Sequence, residues 1–165
     1  MANISVRLNE QEEELFKYLE THDKQLLLMI KFVSYNFLRP IEVCRLRVKD
    51  INFEERQLVV DAKNQLQKTK IIPELLFKEM AHLKGANPDY YLFAPQGVGS
   101  WETSEVNKRD YWSKRFKKVK EVFNMGSEYG IYSFRHTFIT KLYRELRKTL
   151  TPHETKSQLM LITGH

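Results

Sequence analysis

Residues 132–140 read Tyr-Ser-Phe-Arg-His-Thr-Phe-Ile-Thr. Phe134 and Phe138 stand four apart, and Leu142 and Leu146 continue the spacing, so the segment predicts an amphipathic helix with one buried stripe. Ser133 is placed to cap its start. Arg135, beside that stripe, either snorkels its charged head out of the core or has a chemical task. Just downstream, Thr151-Pro-His-Glu154 has the form of a capping box with proline at the first helical position. It predicts a last helix through Leu159, Met160 and Ile162 to Gly164, a residue suited to leave a helix in the left-handed conformation. His165 follows.

Upstream, Trp112, Phe116, Val119 and Phe123 form an apolar stripe at four-three-four spacing, while Lys114, Arg115, Lys117, Lys118 and Lys120 crowd the positions between. That helix carries a concentrated basic face. Near the start, Leu15 and Leu19, then Leu26 to Ile30, Val33 and Phe37, predict two packed helices, the second capped by Asp23. Pro40 suits a first helical turn, and Ile41, Val43 and Leu46 continue a short helix that Asp50 to Asn52 end, which sets Arg39 at a helix entrance. Leu58-Val59-Val60 and Ile71-Ile72 flank the polar stretch Lys63 to Lys68 and predict a β-hairpin closed by Pro73. An amphipathic helix through Leu75, Leu76, Met80 and Leu83, a turn over Gly85 to Pro88 and a short strand at Tyr91-Leu92-Phe93 complete the chain. The fold class expected is mostly α with a small sheet, in a single domain over residues 1–165.

The composition is that of an ordinary globular chain, 42% hydrophobic and 29% charged. No window approaches the roughly 18 unbroken apolar residues of a membrane span. Acidic residues stand near the N-terminus where a signal peptide would have its apolar core, so a cytoplasmic protein is expected. The lone Cys44 excludes an intrachain disulfide and reads as a small core residue, and the five scattered histidines show no zinc-ligand spacing, so no metal is expected. A net charge of +6 favours a polyanionic partner, because each phosphate neutralised by Lys or Arg releases condensed counterions. Five cations in the seven positions Lys114 to Lys120 form either a solvated face or a surface for a nucleic-acid backbone.

Three segments then carry a family resemblance: Phe37-Leu38-Arg39-Pro40-Ile41-Glu42, the 132–140 stretch, and Thr163-Gly164-His165. They resemble the signature boxes of the tyrosine recombinases, the phage-integrase family. In that family an arginine precedes a helix with a glutamate three residues on, which matches Arg39 and Glu42. The second box runs His-x-x-Arg-His-x-Phe-x-Thr, which places Arg135 on the second catalytic arginine and Tyr132 where the family has its first histidine. His165 matches the histidine of the Gly-His pair. The family's catalytic lysine lies on the β-hairpin, where Lys63 stands at the strand end, with Lys68 and Lys70 as alternatives.

The resemblance implies a mostly α fold with a small antiparallel three-stranded sheet. It also implies site-specific breaking and rejoining of double-stranded DNA through a 3′-phosphotyrosine, with sister protomers as partners, in a bacterial or phage-type setting. No cofactor is implied: Arg39 and Arg135 clamp the phosphate, Lys63 protonates the leaving 5′ oxygen, and His165 and Tyr132 complete the site. These types suit the chemistry, since planar guanidinium groups hold charge spread over non-bridging oxygens. His136 is expected as a buried, hydrogen-bonded support of Arg135, and Glu42 as a support of Arg39. Lys68, Lys70, Lys114, Arg115, Lys117 and Lys118 are expected on DNA. The family's nucleophilic tyrosine follows the Gly-His pair, so these 165 residues are expected to lack it, together with the core-binding domain that usually precedes. The rival reading is a non-catalytic DNA-binding regulator with a recombinase-like fold.

Overall fold

The computed structural model describes residues 7–61 and 67–164. Asn9 opens the first helix, α1 (Glu10–His22): its side chain accepts from the Glu12 amide at 2.8 Å, and the Glu12 carboxylate accepts from the Asn9 amide at 2.8 Å. Asp23 ends α1 and caps α2 (Lys24–Tyr35), accepting from the Leu26 amide at 3.1 Å. A tight turn over Asn36 and Phe37 leads to α3 (Pro40–Arg45), which has proline in its first turn as expected.

That helix is shorter than its sequence suggests. Leu46 already has extended backbone, and a separate 3₁₀ turn over Val48–Asp50 precedes strand β1 (Ile51–Asn52). β1 pairs with β2 (Gln57–Val60), and β2 with β3 (Lys68–Ile71), giving the antiparallel three-stranded sheet. β3 ends at Ile71, and Pro73 stands at the start of a single α turn, α4 (Glu74–Phe77), that tightens into a 3₁₀ turn over Lys78–Leu83 in place of one amphipathic helix. β4 (Tyr91–Ala94) is the strand expected near Tyr91. Its partner β5 (Gly97–Gly99) is an addition, forming a second, two-stranded sheet.

The three remaining helices are α5 (Glu105–Val122), α6 (Ile131–Arg147) and α7 (Pro152–Thr163). α6 starts two residues earlier than Ser133: Gly130 is the cap, and Ser133 sits in the first turn with its hydroxyl accepting from the Gly130 amide at 2.9 Å. α7 has the Thr151 and Glu154 capping box, and Gly164 leaves it at φ 77.

One apolar cluster holds these elements together. Trp112 and Phe116 of α5, Phe134 and Phe138 of α6, Phe32 of α2 and Phe93 of β4 are all fully enclosed. The Trp112 ring meets Phe93 edge-on at 5.8 Å, and its indole N–H donates to the Phe93 carbonyl at 3.3 Å, so the large apolar body is buried without orphaning its polar handle. Phe123, the last member of the α5 stripe, is only partly covered. Cys44 is core as expected, and burial pushes its thiol up to about 12.

Candidate functional site

The turn that follows α2 sets the geometry. Phe37 has φ 57, a left-handed conformation that a bulky side chain adopts at a steric cost, and its buried ring fixes it there. This reversal sends the chain directly into Arg39, whose amide donates to the Glu42 carboxylate at 2.8 Å, so Glu42 stabilises the α3 entrance at which Arg39 stands. The Phe37 carbonyl accepts from Nε of Arg135 at 2.9 Å, although the two residues are 98 apart in the chain. Arg135 is only 5% exposed and stands on the inner side of α6 beside Phe134.

Arg39 and Arg135 both line a cleft of about 630 Å³, together with Glu42, Lys68, Lys70 and Gly164. Thus parts of the three sequence boxes, separated by up to 125 residues (Arg39 to Gly164), reach one cavity. Three further charged residues on its wall were not singled out by sequence: Arg45, Glu105 and Arg109. Arg45 forms a two-point pair with Glu105, at 2.6 and 3.1 Å, and its third nitrogen donates to the Asp61 carbonyl at 2.9 Å, bracing α5 and the hairpin stem against α3. No sequence pattern points to these, because α3 and α5 meet only in the folded chain.

β3 holds the largest departure from the sequence pattern. Its register sets Lys70 opposite Leu58 and Lys68 opposite Val60, both buried, so the lysines share the inner face of the sheet while Ile71 is 71% exposed. Lys70 is half-buried and donates to the carbonyls of Asn36 at 3.1 Å and Thr163 at 2.9 Å. Burial pulls its ammonium down to about 8; Glu42 opposes that shift, while Arg135 and Lys68 add to it. Lys68 donates to the Gly164 carbonyl. Both ammonium groups are therefore engaged inside the protein.

Tyr132 is 37% exposed, one turn from His136, with the two rings edge-to-face at 4.7 Å and the Arg135 guanidinium 5.9 Å from the Tyr132 ring. His136 is exposed rather than buried: on a helix whose inward stripe is Phe134, Phe138 and Leu142, position 136 falls on the outer face. Lys63 and His165 lie outside the described residues.

On α5, Lys114, Lys117 and Lys118 are exposed as expected, but Arg115 leaves that face. Its guanidinium grips both Asp23 oxygens at 2.6 Å, tying α5 to the start of α2, so Arg115, like Lys68 and Lys70, departs from the expected DNA-facing set. Arg115→Met is expected to lower stability by about 1–3 kcal/mol, as for loss of hydrogen bonds to a charged group. It should leave DNA affinity unchanged, in contrast to Lys117→Met; urea denaturation paired with a DNA-binding titration checks both.

The phage integrase family profile matches residues 7–149, and the chain belongs to that family. Among solved structures it is similar to the XerA recombinase, with 18% identity and a TM-score of 0.65 over 98% of this chain and 57% of that one. It is similar too to the Tn1549 transposon integrase in complex with transposon right end DNA, with 21% identity and a TM-score of 0.64 over 98% and 58% of the two chains. For the XerH site-specific recombinase bound to difH substrate, the values are 23%, 0.60, 99% and 48%. The chain thus spans between 48% and 58% of the length of these structures. Their likeness establishes the tyrosine recombinase catalytic-domain fold. No curated protein sequence matches the chain. Among the described residues, no helix is long and apolar enough to cross a membrane.

Proposed function

We propose that residues 1–165 form the catalytic domain of a site-specific DNA recombinase that cleaves and rejoins strands through a 3′-phosphotyrosine. The carrying observation is the cleft that gathers Arg39, Arg135 and Gly164 from three distant segments, with Lys68 and Lys70 on its wall. Family membership and the DNA and difH complexes of structural relatives support the same reading.

In this mechanism the scissile phosphate enters the cleft and its non-bridging oxygens are held by Arg39 and Arg135. Glu42 orients the first through the helix entrance, and the Phe37 carbonyl orients the second. A tyrosine beyond His165 in the intact protein attacks phosphorus and loses its proton to His165. The bond from phosphorus to the 5′ oxygen breaks, and Lys63 protonates that oxygen. Guanidinium groups pre-set at the phosphate stabilise the charge that develops there. Tyr132, exposed beside Arg135, is a hydrogen-bond donor to the phosphate in place of the family's histidine. Lys114, Lys117 and Lys118 bind backbone phosphates of the flanking duplex, and sister protomers assemble on the paired sites.

The test is incubation of the full-length protein with a nicked duplex carrying the junction sequence of its own genetic element. A covalent protein–DNA adduct is expected; DNA binding with no adduct favours the regulatory alternative. In the same assay system, replacing Lys114, Lys117 and Lys118 with glutamine should weaken binding to all duplexes alike. It should also flatten the plot of log affinity against log salt by about one per lysine. An unchanged salt slope removes these residues from the interface.

A further inference from the structure

We propose that Lys70 is a positioning residue of the site: its ammonium ties the Asn36–Phe37 turn, left-handed at Phe37, that presents Arg39 to the carbonyl end of α7 that presents Gly164. The inference rests on the recombinase reading for its catalytic consequence, and on geometry alone for the tie itself.

Three observations carry it. First, β3 reverses the alternation expected of a half-buried antiparallel strand, which sets apolar residues inward and polar residues outward. Here Ile71 is 71% exposed while Lys70 stands opposite Leu58 on the inner face. A strand that exposes an isoleucine and buries an ammonium gives up apolar burial, and departures of this kind concentrate at functional sites.

Second, the two acceptors of Lys70 belong to the two ends of the site. The Asn36 carbonyl lies in the turn before Phe37, whose own carbonyl holds Arg135, so adjacent carbonyls of one turn are bound by Lys70 and Arg135. The Thr163 carbonyl is one of the last of α7, where helical carbonyls lack an intrahelical partner and a cation complements the helix dipole.

Third, the contact is close and doubled. A Cβ built on Gly164 would come within 3.2 Å of Cε of Lys70, so the lysine stem lies directly on the glycine backbone. Gly164 already needs its freedom for φ 77, and its carbonyl accepts from Lys68. One strand thereby holds the end of α7 by two ammonium groups, and one of these also holds the arginine-bearing turn.

The experiment uses the full-length protein with Lys70→Met, which keeps the stem and removes the ammonium, and Lys70→Arg as the conservative variant. First-turnover cleavage of the nicked duplex at saturating DNA is expected to fall by about 10- to 100-fold for Lys70→Met, the scale of a small displacement of positioned groups, with DNA affinity within about twofold. Amide hydrogen exchange at residues 160–164 should speed by about tenfold while α2 and the middle of α6 stay protected. Lys70→Arg should recover most of both. Lys70→Gln, neutral and polar, gives the same comparison should the methionine variant not fold.

Cleavage and exchange both unchanged in Lys70→Met would overturn the proposal, leaving the lysine as a space-filler. Affinity falling in parallel with cleavage, with exchange unchanged, would overturn it in favour of a DNA contact. If the wild-type protein makes no adduct, the recombinase reading fails by itself, and the exchange at residues 160–164 still decides the tie.

Discussion

Arg135→Ala in the full-length protein is expected to lower first-turnover strand cleavage by about 10³-fold or more, the scale of removing an arginine from a phosphoryl-transfer site. Arg135 is held in place before DNA arrives: α6 presents it, the Phe37 carbonyl fixes its Nε at 2.9 Å, and the cleft opens beside it. In the proposed mechanism a guanidinium held at the cleft in this way needs no reorganisation as charge develops on the phosphate. Arg135→Lys should recover little, because a lysine has one charged nitrogen where two parallel donors are required. The alanine variant also leaves the Phe37 carbonyl unpaired, for a stability loss of about 1–3 kcal/mol. Melting curves taken beside the cleavage rates separate the two effects, and a folded variant with near-normal cleavage would remove Arg135 from the clamp.

Phe134→Ala is the second large effect, and it falls on stability. Phe134 is fully buried, with the rings of Phe16 at 6.5 Å, Phe116 at 5.8 Å and Tyr129 at 5.6 Å around it. Removing it deletes apolar surface and leaves a cavity among rigid aromatic neighbours that cannot collapse, for a loss of about 3–5 kcal/mol. For a domain of this size, that lowers the melting temperature by roughly 6–20 °C. Because Phe134 immediately precedes Arg135, cleavage should fall as well, but in proportion to the unfolded fraction at the assay temperature. Loss of cleavage well below the melting transition would mean that the ring also aims Arg135.

Helices with long apolar stripes were legible in the sequence. Asp23 as the α2 cap, the Trp112–Phe116–Val119 stripe and the Thr151 capping box all follow from local side-chain chemistry, and the fold realises each. Short elements were not. β5 is Gly-Val-Gly, with no alternation to detect, and α3 stops at Arg45 because Leu46 turns to hydrogen-bond with Leu92 of β4, a tertiary choice.

The arginines of the candidate site were legible from the family resemblance, and the structure brings Arg39 and Arg135 to one cleft. The lysines were harder. Lys68 and Lys70 on a hairpin read as outward-facing cations, and only the pairing register with Leu58 and Val60 turns them inward. Arg115 looks like one member of a basic run, and only the approach of Asp23 from another helix removes it. His136 was expected inside, and its place opposite the aromatic stripe of α6 puts it outside. For the lysines and Arg115 a one-dimensional pattern gave the residue type while pairing in the fold set the direction of the side chain; for His136 the helical period of α6 itself sets it.

The most direct test of the central claim is to digest the covalent adduct formed by the full-length protein on its nicked junction duplex and identify the modified peptide by mass spectrometry. The expected result is a DNA 3′-phosphate on a tyrosine C-terminal to the Gly164–His165 pair, and no adduct after replacing that tyrosine with phenylalanine. Linkage to a serine, or to one of the eight tyrosines among residues 1–165, would contradict it.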